Sequence, residues 1–150
     1  MDIEQIVAVV AGNDGILVLR PGPGDQTPEI AWGDVFVYFS PDGTVPPGQP
    51  FATVITKDYP YEPAWQREAG SIRVNIHVGA QVFTDLLGHP PGEGSGPEPT
   101  AVDVVMPHPA YGELGWISVV DPGERTARLV AEQLQAAYAA ARRRHERRQG

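Results

Sequence analysis

At 150 residues with no cysteine, the chain is long enough for one compact domain, and it excludes disulfide scaffolding, thiol redox chemistry and cysteine-ligated zinc. Its apolar runs are far shorter than a membrane span, and the acidic start Met1-Asp2-Ile3-Glu4 lacks the basic region of a signal peptide, so the sequence reads as cytoplasmic with no membrane partner. The net charge of -8 hides a basic C-terminal tail, residues 142–150, of charge +4, which leaves -12 on residues 1–141 and disfavours nucleic acid as a partner.

Asp2 is placed to cap a first helix in which Ile3, Ile6, Val7 and Val10 fall at helical spacing, ended by Gly12-Asn13-Asp14-Gly15. Ile16 to Leu19 reads as a strand, and Pro21-Gly22-Pro23-Gly24-Asp25 as a turn. Three strand-like segments follow across polar connections: Ala31 to Phe39, Phe51 to Lys57 and Ser71 to Val78. The third alternates throughout, with Ile72, Val74, Ile76 and Val78 on one face and Ser71, Arg73, Asn75 and His77 on the other. The pattern predicts an antiparallel meander with one buried and one wet face, in which Val74→Asp unfolds the domain and Asn75→Ala is tolerated.

Gly79 opens a short helix with Val82, Phe83, Leu86 and Leu87 on one stripe, closed by Gly88. Residues 89–99 hold four prolines and three glycines and read as a flexible loop. A second, shorter strand pair is expected at Val102 to Met106 and Gly115 to Val120, followed by a last helix from about Glu124 with Leu129, Val130, Leu134, Ala137, Tyr138 and Ala141 on one face. The arginines beyond it, Arg142, Arg143, Arg144, Arg147 and Arg148, suit a helix C-terminus. The fold expected is a single α+β domain: a mostly antiparallel sheet with the N- and C-terminal helices packed on one face.

The segments Pro50 to Tyr59, Arg73 to Gly79, Met106-Pro107-His108-Pro109 and Gly115 to Val119 look like those of an uncharacterised bacterial domain family, over nearly the whole chain. That resemblance implies a fold and no assigned activity. More distantly, Gly115 to Val120 followed by the helix through Tyr138 resembles the MmcQ/YjbR-like family, with Gly115 where that family usually has His. This second resemblance implies DNA binding by structural analogy.

No residue pattern announces a reaction. His77, His89 and His108, weighed with Asp34 or Asp58 as ligands, match no metal spacing, and the glycines form no phosphate loop, so neither metal nor cofactor is expected. The candidate ligand-binding residues are Arg73, Asn75 and His77, joined by Trp32, Asp34 and Lys57 if the central strands are neighbours. The leading expectation is a module binding a small molecule or a protein through this face and the aromatic connection Tyr59 to Trp65. The alternative is an enzyme with His77 as acid or base, Arg73 on an anionic group and Asn75 orienting the substrate. DNA binding ranks third.

Overall fold

The computed structural model describes residues 1–149; residue 150, the last of the basic tail, lies outside the described residues. Helix α1 (Ile3–Ala11) starts on a capping box: Gln5 N–H donates to the Asp2 carboxylate and the Asp2 N–H donates to the Gln5 side chain, each at 2.8 Å. Four strands follow, β1 (Ile16–Leu19), β2 (Val35–Phe39), β3 (Ala52–Ile55) and β4 (Arg73–His77), then α2 (Ala80–Leu87), β5 (Met106–Pro107), β6 (Trp116–Val120) and α3 (Ala127–Gln149). They form one sheet in the order β1-β2-β3-β4-β6-β5, antiparallel at every named pairing.

The chain is an α+β domain, with both terminal helices and α2 on one face of the sheet. Val35, Val37, Ala52, Val54, Val74, Ile76, Ile117 and Val119 point to that face, where they meet Ile6, Val7 and Val10 of α1, Phe83 of α2, and Val130, Leu134 and Ala137 of α3. Each Val, Ile, Leu or Phe among them contributes about 1.5–3 kcal/mol by leaving water. The alternation read in residues 71–78 therefore places its apolar set under the C-terminal helix, as the period of two requires.

The expected wet face is a correction. Arg73, Asn75 and Ser118 are all buried on it, and a second apolar cluster of Ile55, Trp65, Met106 and Val120 covers one end. Alternation assigns side chains to faces; it says nothing about which loops lie over them. Here the connection between β3 and β4 and the segment between α2 and β6 both lie against the second face.

Smaller departures share a local cause. The strand expected from Ala31 starts only at Val35, because Glu29–Ala31 is a 3-10 turn and Gly33 sits at φ 87, a left-handed value that breaks extended structure. The segments expected at 51–57 and 71–78 pair only over Ala52–Ile55 and Arg73–His77. The later strand pair is no separate unit: β6 pairs with β4, and β5 is two residues long. Helix α3 begins at Ala127 and runs to Gln149, so the basic residues 142–149 are helical. Its start is held from a distance by Asp103, whose carboxylate accepts from the N–H groups of Gly123, Arg125 and Thr126 and from the Thr126 hydroxyl.

Candidate functional site

Strand register builds the site. Asn75 lies across from Thr53 on β3 and from Ser118 on β6, and its amide uses both neighbours. Nδ2 donates to Thr53 Oγ1 at 2.9 Å, while Oδ1 accepts from Ser118 Oγ at 2.7 Å and from Arg73 Nε at 2.9 Å. An amide that satisfies two strands and the guanidinium above it is a fixed part, set to hold Arg73 in one orientation.

Arg73 is wholly buried. Its Nη2 donates to Glu62 Oε1 at 2.7 Å, its guanidinium carbon stands 5.6 Å from the Trp65 ring centroid, and its Nη1 is buried with no hydrogen-bond partner. Burial lowers its pKa from the ordinary value, and Glu62 opposes that by hydrogen bond and charge. An ion pair in this setting costs desolvation on both sides, and a donor left empty adds to that cost.

His108, from the segment leading out of β5, is the second donor. Its Nδ1 accepts from the N–H groups of Ala110 and Tyr111, each at 3.0 Å. Two N–H groups aimed at Nδ1 require a lone pair there, so the neutral ring carries its proton on Nε2. That Nε2 lies 3.5 Å from Arg73 Nη2, which places two donors face to face. Burial, then the Arg73 charge, push the His108 pKa down to about 3.

Over these groups lies a cavity of about 220 Å³, walled by Phe36, Tyr38, Tyr59, Tyr61, Tyr111 and Trp116. Trp65 is buried beneath Arg73, whereas Tyr61 is 68% exposed at the mouth. The aromatic connection thus splits its duties between packing and the rim.

The structure brings together two of the six candidate residues, Arg73 and Asn75. His77, on the same side of β4 but at its far end, stacks on Trp116 with ring centroids 5.5 Å apart and opens into a neighbouring cleft beside Arg144. Trp32, Asp34 and Lys57 form a separate knot. The buried Asp34 accepts from Thr56 N–H (2.9 Å), Thr56 Oγ1 (2.8 Å), Lys57 Nζ (2.9 Å) and the Tyr59 hydroxyl. Lys57 Nζ also donates to the Trp32 carbonyl at 2.8 Å. The knot reaches the cavity only through the Tyr59 ring, whose pKa is raised by burial and by Asp34.

The sequence carries no site signal for Glu62 or Tyr111, and it offers His108 as a metal candidate and within the Met106-Pro107-His108-Pro109 motif. All three sit in irregular segments where no periodicity marks them, although Glu62 lies inside the aromatic stretch. Among the described residues, no three His, Asp or Glu side chains group closely enough to hold a metal ion, and no helix is long and apolar enough to cross a membrane.

No curated protein and no solved structure matches the chain. One family model does, that of DUF6194, a family of unknown function; it spans residues 1–150, and the chain belongs to that family.

Proposed function

We propose that this domain is a binding module for a small organic carboxylate, held in the cavity over Arg73 and His108. The observation that carries the reading is the orphaned Arg73 Nη1, buried at the base of an aromatic-walled cavity with the Nε2–H of His108 beside the same guanidinium. Nη1 has no acceptor, and the Nε2–H of His108 faces Nη2, which Glu62 already holds, so two donors at one guanidinium lack an acceptor, and a carboxylate accepts from such donors better than a neutral group does. Asn75, through Arg73 Nε, supplies the orientation. The cavity is smaller than the ~300–1,000 Å³ usual for drug-sized ligands, which favours a compact aromatic or aliphatic acid.

The acid–base alternative has less support. His77 opens into the neighbouring cleft, and His108 offers a fixed Nε2–H whose other nitrogen is already occupied. A group with its pKa near 3 does not exchange a proton usefully at neutral pH. The DNA-binding analogy would rest on the arginines of α3, set on a body that is otherwise strongly acidic.

A thermal-shift comparison of small carboxylates with their primary amides tests the proposal. Carboxylates should stabilise the protein, by about 2.7 kcal/mol at a hundred times Kd, and the amides should not. Tyr111→Ala, at the mouth, should weaken the best acid about tenfold or more. Equal shifts from acid and amide, or none from either, would sink the carboxylate reading.

A further inference from the structure

The cleft at the other end of β4 holds arginines, Arg144 and Arg148, that form no salt bridge among the described residues. It has a volume of about 1010 Å³, and its walls include His77, Arg144, His145 and Arg148. The acid lining it, Asp42, spends its Oδ1 on Ser40 and Thr44. The helix dipole accounts for Arg147 and Arg148 in the last turn of α3, and Arg142 is paired with Glu146 at 2.9 Å. Neither explanation covers Arg144. It lies more than a turn from the terminus, is half-buried, and makes no salt bridge or side-chain hydrogen bond among the described residues. Its pKa is lowered by burial and then by Arg148, Arg147 and Arg143.

Holding a half-buried guanidinium near three like charges is unfavourable, and an anion in the cleft adds an attraction to each cation that offsets the repulsion. A planar guanidinium matches phosphate geometry, with a second arginine one turn along the same helix face. His77, stacked on Trp116, faces the same space.

We propose that the cleft between α3 and the loop after β2 is a phosphate-binding site, with Arg144 as its central contact and Arg148 and His77 beside it. The site adjoins the carboxylate cavity but uses different charged groups. Trp116 and Tyr38 line both, so a ligand can extend from one to the other.

Titration of the full chain with inorganic phosphate and with phenyl phosphate, followed by calorimetry at fixed ionic strength, tests this. Both should bind saturably, and Arg144→Gln should weaken them about tenfold or more. Arg148→Gln, at an exposed position where unfolding is not a concern, should weaken them severalfold. Arg128→Gln removes the same charge at the other end of α3, away from the cleft, and should change nothing. Phenyl phosphate binding tighter than phosphate assigns the site to an organic phosphate, and equal affinities assign it to the free ion. Absence of saturable binding by either probe, or equal losses in the Arg144 and Arg128 variants, would overturn the proposal. Failure here leaves the carboxylate test untouched, since neither arginine lines that cavity.

Discussion

Asn75 touches Arg73, Thr53 and Ser118, so Asn75→Ala strands Arg73 Nε and Ser118 Oγ where water does not reach and takes the donor from half-buried Thr53. The tolerance expected from a wet face gives way to a loss of about 2–4 kcal/mol, measurable as a lower urea midpoint with an unchanged slope. His108 makes a second prediction at this scale. Its folded pKa, about 3, lies below the ordinary 6.5. Between those values the unfolded chain binds a proton that the native ring does not, so the stability is present above pH 6.5 and is lost as pH falls toward 3. The slope should approach about 1.4 kcal/mol per pH unit, and His108→Gln should remove that contribution in a pH series of unfolding curves.

Helix α3 shows how an element can depend on a residue far from it in sequence. The turn that leads into Ala127 is held by Asp103 from across the fold, at 2.8 Å from Gly123 N and 3.0 Å from Arg125 N. Partial burial opposes ionisation of Asp103, but the Thr126 hydroxyl and the three N–H groups outweigh it and hold its pKa at about 2. Asp103→Ala should cost about 1–2 kcal/mol, with α3 fraying first by amide exchange. Because the folded pKa is depressed, the capping contribution is intact above pH 4 and disappears as pH drops through about 2. Of the elements, β4 was the most legible, since a faultless period of two fixes both faces whatever the surroundings. The Asp103 cap was not legible: it needs the turn at Pro122-Gly123 to meet a segment some twenty residues earlier, and no local pattern records that meeting.

For the molecule as a whole, the sequence disclosed the layer order, because apolar spacing marks which side of each helix and strand needs cover. The second cover remained hidden. Glu62 and His108 come from loops rich in proline, whose path is set by contacts such as Trp65 under Arg73, and such contacts leave no repeat to read. The C-terminal arginines, read as a basic tail suited to a helix C-terminus, continue α3; what composition does not show is their packing, with His145 edge-on against Phe39, centroids 5.2 Å apart. Truncation after residue 141 should therefore remove packing as well as charge. We expect a loss of about 0.5–1.5 kcal/mol, which for a chain of this size lowers Tm by about 2–6 °C in calorimetry.

Trp116 stands between the two clefts, 7% exposed and stacked on His77, while Trp65 is sealed under Arg73 and Trp32 lies apart with its indole N–H on the Thr27 carbonyl. One of the three indoles is thus an intrinsic optical gauge for both compartments. Filling either should alter Trp116 emission without a label, and the Trp116→Phe variant should be silent to the same additions. A response that survives this variant would move the occupied volume elsewhere.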